Sequence, residues 1–326
     1  MKGTDKKTQH GAAILTAMLT VVLVATLASS SLWQQWRGVE VETAERSRTQ
    51  SSWVLTGALD WARLILREDA RKGGADHLGE PWAVPLASAR LATFLAADHS
   101  DAATSDDTQD AFLSGQITDL QSRLNVTNLI QGGKVHEPSQ LAFARLFKQL
   151  NLPPSELAVM VDKLLQAQPS GTQTNANAAP SAAISLVPQT LDQLTWVGLS
   201  PATIQMLRPY VSILPEPTAV NLNTAPAEVI YACVDTFDLA DAHAMVSARN
   251  AKHFESLQDA TKVGGSEAAT FNESQHSVST RFFEVRGQLR IEQTTVQEIS
   301  VVQRDGMSVK TLQRQRGVLP ALPPLQ

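Results

Sequence analysis

The stretch KKTQHGAAILTAMLTVVLVATLASSSLW, Lys6 to Trp33, decides how this chain is built. From Ala12 to Leu32 it runs 21 residues without Asp, Glu, Lys, Arg, His, Gly or Pro. A helix rising about 1.5 Å per residue crosses the ~30 Å hydrocarbon layer in about 20 residues, so the run is long enough to span a membrane. Lys2, Lys6 and Lys7 stand before it against Asp5 alone. Such a basic leader stays in the cytoplasm and sends the rest of the chain across. Three readings fit this segment. It is a secretory signal cut near Ala28, an uncleaved anchor, or a prepilin-type signal cut after Gly11, where a glycine leaves the scissile backbone unhindered.

The residues beyond Trp33 favour the third reading. No proline follows until Pro81, and the helical period continues. Trp53, Gly57, Trp61 and Leu64 recur on one face, with Leu55, Leu59, Ala62 and Leu66 beside them and Arg63, Arg67, Glu68 and Arg71 at polar positions. A membrane helix fused without a break to an amphipathic helix is predicted from Ala12 to about Arg71, ending at Gly73-Gly74.

Composition narrows the rest. The 326 residues are 43% hydrophobic and 18% charged, the balance of a folded chain with room for a real core. Net charge is −5, which offers no basic field to nucleic acid. The single cysteine, Cys233, excludes an intrachain disulfide. The seven histidines are scattered, with no pair at zinc-ligand spacing, and no phosphate loop, dinucleotide fingerprint or nucleophile elbow is present. Cys233 reads as a core residue, and no enzyme is expected.

Further along, Asp76–Leu86 is turn-rich and Asp98–Asp110 is an acidic surface loop. Phe112–Ile130 alternates like a strand and then carries Asx-type turns. Two amphipathic helices, Leu141–Leu150 and Ser155–Ala167, flank Leu152-Pro153-Pro154, and Pro169–Ala183 is a flexible loop. From Thr190 to about Gly265 two helix-hairpin-helix units are predicted, with Asn223 and Thr224 capping a helix whose first turn holds Pro226. Such units suggest DNA binding, the rival function: a membrane-anchored periplasmic DNA-uptake protein. Between Ile184 and Glu267, however, four bases face nine acids, and a phosphate backbone would be repelled. From His276 to Gly317 the period changes to two, with Asp305-Gly306 as a hairpin turn in an antiparallel meander.

These features in this order resemble general secretion pathway protein K, the large minor pseudopilin family of type II secretion systems. The likeness rests on the leader and stem, on Gly115, Ile117 and Asp119 ahead of Asn125 and Asn128, on the Val220–Ile230 stretch VNLNTAPAEVI, and on the closing meander. Pilins carry a glutamate at the fifth residue after cleavage. Here that residue is Thr16, and protein K is similar in lacking the glutamate. The resemblance implies cleavage between Gly11 and Ala12 by the prepilin peptidase and methylation of Ala12. It also implies a place in the inner membrane with the head in the periplasm. Its partners would be the minor pseudopilins I and J in a tip complex, and other pseudopilins through the stem. It allows calcium, but the region after Asp162 has almost no carboxylates where relatives have an acidic motif, so no cofactor is expected.

The expected fold is α+β: a long N-terminal helix packed on an antiparallel sheet, with a large inserted all-α domain of helix-hairpin-helix (SAM-like) type. The expected boundaries are 1–11 leader, 12–32 transmembrane helix, 33–72 stem, 73–130 with 276–317 as the head, 131–275 as the insertion containing the 169–183 loop, and 318–326 as a tail.

Overall fold

The computed structural model describes residues 10–91, 111–167, 186–263, 271–291 and 294–317, with the side chains of residues 10–12 and 294 outside that set. The leader before His10, the acidic run 98–110, the 169–183 loop and the 318–326 tail lie outside the described residues. The chain divides into two compact units, Met1–Thr56 and Gly57–Gln326.

In the first unit the described backbone is helical throughout. It belongs to α1, His10–Lys72, a single helix of 63 residues. Side chains from Ala13 to Arg46 are all exposed. At its far end Arg71 and Lys72 supply the positive charge that a helix C-terminus favours. Gly73 (φ 67°) and Gly74 (φ 113°) then take left-handed backbone and stop the helix.

The second unit is built on a five-stranded antiparallel sheet. Its strands are β1 (Leu86–Arg90), β2 (Ala111–Asp119), β9 (Phe282–Ile291), β10 (Thr294–Asp305) and β11 (Ser308–Gly317), and they lie side by side in that order. The predicted meander forms β9 to β11, with Gly306 at φ 55° in the last turn. Alternation along the strands serves both faces. On one face Phe283, Val285, Val302 and Ile117 pack with Leu59, Ala62 and Leu66 of α1 and with Trp82, whose ring meets Phe283 edge-on at 5.2 Å. On the other face Phe282 packs with Leu120 and Leu214. Burying each of these large side chains stabilises the fold by about 1.5–3 kcal/mol.

Of the apolar stem residues, the structure turns the leucine positions inward. Leu55, Leu59, Ala62 and Leu66 are buried, whereas Trp53 is 74% exposed and Trp61 and Leu64 are close to half exposed. Leu59, Ala62 and Leu66 pack against the sheet.

Between β2 and β9 the chain makes a second core, almost wholly helical. Helices Glu137–Gln149, Pro154–Ala167, Pro201–Leu207, Ala227–Cys233, Leu239–Ala251 and Leu257–Val263 surround a large apolar cluster that includes Phe143, Leu146, Met160, Val229 and Met245. Three two-stranded pairs tie it together: β3 (Leu124–Asn125) with β6 (Val211–Ser212), β4 (Ile130–Gln131) with β5 (Lys134–Val135), and β7 (Val220–Asn221) with β8 (His276–Ser277). Leu124, Val126, Leu129 and Ile130 belong to this helical core, and β2 leaves the sheet at Asp119. The leading arm of the first predicted hairpin is a 3-10 helix, Leu191–Val197, closed by Gly198 at φ 99°. Asn223 and Thr224 do not cap a helix. Pro226 holds the N-cap position of Ala227–Cys233, and the two polar side chains are buried and used elsewhere.

Candidate functional site: the apolar stem and the polar node of the head

Two features of the molecule are built for something other than packing a core. The first is the start of α1. Ile14, Leu15, Met18, Leu19, Val22 and Leu23 are each more than half exposed, on a helix long and apolar enough to cross a membrane. Its hydroxyls point back to their own helix. Thr16 Oγ1 donates to the Ala13 carbonyl at 2.9 Å, Thr20 to Ala17 at 2.8 Å, Thr26 to Leu23 at 2.9 Å and Ser30 to Leu27 at 2.9 Å. Lipid offers no hydrogen bonds, so hydroxyls satisfied within the helix suit that environment. Gly11 and Ala12 fall in the first turns of α1, and their side chains lie outside the described set.

The second feature is a buried polar node where the end of α1, the sheet and the helical core meet. Arg304 of β10 donates from Nη1 to Asp69 at 2.6 Å and from Nη2 to both Asp76 and the Thr280 carbonyl. Thr280 N–H donates to the second oxygen of Asp76 at 2.7 Å, and Thr280 Oγ1 donates to Asp119 at 2.6 Å. Asp119 also accepts from Gln121 N–H at 2.7 Å, Thr224 Oγ1 at 2.5 Å and Asn221 Nδ2 at 3.0 Å. Burial pushes its carboxyl above the usual range, opposed by the Thr224 and Thr280 hydroxyls, Gln121 N–H and Asn221. Asp76 is likewise raised by burial, with Arg304 and the Thr280 N–H opposing. Sequence alone marked Asp119 as part of a motif but not as this hub, because its side-chain donors are 102 to 161 residues away.

Asp69, Asp76 and Glu80 bring carboxylate oxygens within 4.8 Å of one another, the spacing of a cation site. Arg304 already supplies the positive charge between the two aspartates. Glu80 is occupied by His77 N–H at 2.9 Å and Trp82 Nε1 at 2.7 Å. A calcium ion needs six or more free oxygens and would have to displace the guanidinium, so the set does not fit one.

The asparagines of the sequence motif brace the helical core. Asn125 donates to the Glu216 carbonyl at 2.8 Å and accepts from Leu214 N–H at 3.1 Å. Asn128 grips Thr218 through both its N–H (2.9 Å) and its carbonyl (2.7 Å). Burial pushes the Cys233 thiol up to about 12, which disfavours the reactive thiolate.

Two family models, both described as type II secretion system (T2SS) protein K, match residues 122–216 and 220–279. Type II secretion system protein K of Pseudomonas aeruginosa is 28% identical over 327 residues, which cover 95% of this chain and 90% of that protein. Its namesake from Pectobacterium carotovorum subsp. carotovorum is 23% identical over 335 residues, covering 95% and 97%. One chain in the crystal structure of the GspK-GspI-GspJ complex from the enterotoxigenic Escherichia coli type 2 secretion system shares the fold. Its TM-score is 0.65 at 18% identity, over 84% of this chain and 98% of that one. Family models, curated relatives and a solved structure all indicate type II secretion system protein K.

The matched residues, 122–216 and 220–279, include Asn221 and Thr224, which close the node from the helical side. That same region contains the hairpins that suggested DNA binding. There Arg208 is bound by Asp192, Lys252 lies 3.5 Å from Glu255, Lys262 lies 2.8 Å from Asp259, and Arg249 is buried with its Nη1 on the Leu222 carbonyl. All four bases counted in the sequence are therefore engaged within the protein.

Proposed function

We propose that this chain is a minor pseudopilin of the tip. It would start or cap the pseudopilus that drives folded proteins across the outer membrane, without catalysis of its own. The carrying observation is α1: an exposed apolar segment joined without a break to a helix that packs on a sheet. Thr16 supports the place at the tip. A glutamate there would cost about 2.5–3.5 kcal/mol in the membrane unless a neighbouring stem paired it. Thr16 bonds within its own helix and asks for no stem above it. The open Trp53, Trp61 and Leu64 face offers sister stems an apolar surface. By likeness to the solved complex, the partners are the I and J minor pseudopilins. The inner membrane would hold the stem, with the head in the periplasm.

The processing reading places the scissile bond between Gly11 and Ala12. N-terminal sequencing and intact mass of the mature chain should give a methylated Ala12 start, and Gly11→Val should leave the full precursor. A start at Ser29, or Met1 retained in secreting cells, overturns the reading.

A further inference from the structure

Past Leu32 the chemistry of α1 changes abruptly. No ionisable residue occurs from Ala12 to Trp36. Arg37 is the first charge after the apolar run, and Glu40, Glu42 and Glu45 follow it. Trp33, Trp36 and Arg37 stand at i, i+3 and i+4, so they share one face of the helix. Both tryptophans are 58% exposed, and Arg37 is exposed beside them. The guanidinium carbon of Arg37 lies 5.0 Å from the centre of the Trp33 ring, a cation over an aromatic face. Among the described residues Arg37 has no ion-pair partner, although Glu40 stands one turn further on.

Helical rise sets the level of these three residues. Trp33 is 21 residues beyond Ala12. At ~1.5 Å per residue that is about 32 Å, against a hydrocarbon layer of ~30 Å. With Ala12 at one boundary, Trp33 reaches the other, and Arg37 lies about 6 Å beyond it. That is the level of lipid carbonyls and phosphates. An indole has an apolar body and one N–H donor, which suits the plane where hydrocarbon meets carbonyl oxygens. A guanidinium stacked on a ring uses its face and keeps its edge donors, a fork that matches a phosphodiester. A sister stem is the poorer occupant. It would bury the Arg37 charge between helices, at a cost in stability unless it brought a carboxylate to that level. Lipid phosphate offers the opposite charge on every side of the helix.

We propose that Trp33, Trp36 and Arg37 form a lipid-binding collar at the outer face of the inner membrane, with the two indoles among lipid carbonyls and Arg37, laid over Trp33, donating to a lipid phosphodiester. The collar rests on α1 as the membrane-spanning segment proposed above. It fixes the height of the stem: with Trp33 at one boundary, Ala12 falls at the other.

The test reconstitutes the full chain into phosphatidylcholine vesicles and floats them on a density gradient. Fluorescence is then compared with that of the Trp33→Phe/Trp36→Phe variant, so that the difference reports these two of the six tryptophans. The quenchers are lipid brominated near the glycerol end, lipid brominated near the midplane, and iodide in the water. The shallow bromines are expected to remove most of the difference signal, and the deep bromines and iodide little of it. In the same vesicles, with arginine labelled at Cζ, lipid phosphorus is expected to dephase an arginine carbon in the wild type. That dephasing should be lost in Arg37→Lys, which keeps the charge. All three positions are exposed on the helix, so the variants leave the core untouched. A chain that does not float overturns the membrane-spanning reading itself. A chain that floats, with indoles answering best to iodide or to the deep bromines, overturns the collar alone. Indoles reached by no quencher are covered by protein and overturn lipid as the occupant. Arginine dephasing that is absent, or unchanged in Arg37→Lys, overturns the phosphate contact.

Discussion

Arg304 Nη1 lies 2.6 Å from Asp69 Oδ2, joining the fourth strand of the sheet to the last turns of the stem helix. The side chains are about nine-tenths buried on both sides. The guanidinium also stacks over the Phe283 ring at 4.9 Å. A load applied along the stem would therefore reach the sheet through one charged contact as well as through the leucine face. Removing Arg304 strands two buried carboxylates. Arg304→Met is expected to destabilise the chain by about 3–5 kcal/mol, and Asp69→Asn, which leaves the Asp76 contact, by about 1–3 kcal/mol. Denaturant unfolding with a common slope measures both. Equal losses in the two variants would show that Asp76 adds nothing.

Asp119 carries the second half of the node. Asp119→Asn keeps the shape but turns an acceptor into an N–H₂ group facing hydroxyl and amide donors. At least one of Gln121 N–H, Thr224, Asn221 and Thr280 then loses its acceptor. The expected loss is about 2 kcal/mol or more. Thr224→Val removes one donor and leaves the carboxylate three, so it should cost about half as much. A neutral Asp119→Asn would mean that the carboxyl is held protonated in the fold.

Gly198 closes the 3-10 helix at φ 99°, and a Cβ placed there would sit 2.6 Å from Val159 Cγ1. Gly198→Ala thus meets two penalties, left-handed backbone and a clash, together about 2 kcal/mol or more. Pairing it with Val159→Ala should return only the steric part. Full recovery in a double-mutant cycle would assign the whole cost to the valine.

Sequence made the periodic parts of this fold legible. The 21-residue apolar run, the glycine pair after Lys72, the closing meander and its Asp305-Gly306 turn follow from local patterns, and the structure has them where those patterns put them. Asp119 and Asn125 were legible as turn formers, since each caps a 3-10 helix two residues on. What stayed hidden depends on distant partners. Nothing near Arg304 in sequence announces Asp69, 235 residues away. The choice between the leucine and tryptophan faces of the stem was hidden for a related reason. Both are apolar, and only the packing of Leu59, Ala62 and Leu66 with Ile117, Phe283 and Val302 distinguishes them. Asn223 and Thr224 looked like helix caps by local rule. They were diverted by Phe254 N–H, which donates to Asn223 Oδ1 at 2.9 Å, and by Asp119.

His276 makes the fold sensitive to acid in a defined way. Its Nδ1 faces the Asn272 N–H at 3.2 Å and its Nε2 faces the Cys233 carbonyl at 3.2 Å, an arrangement that calls for the neutral ring protonated on Nε2. Burial lowers its pKa from the ordinary 6.5, opposed by its two backbone partners and Asp235. The unfolded chain takes up that proton first. The contribution of His276 is thus fully present above 6.5 and is lost as pH falls from there through the lowered folded value. His77, stacked on His253 at 3.7 Å and lowered by burial and then by that neighbour, works in the same direction. Glu80 works the other way. Raised to about 7 by burial, it favours the fold fully below its ordinary 4.5 and loses that contribution as pH rises through 7. Because these effects oppose, the total pH profile is uninformative and the difference between two proteins is what reads out His276. Thermal unfolding of the wild type and His276→Gln from pH 8 to pH 5 should give curves that converge as pH falls through the range where His276 titrates. Parallel curves would show that the ring keeps its ordinary affinity for the proton in the folded chain.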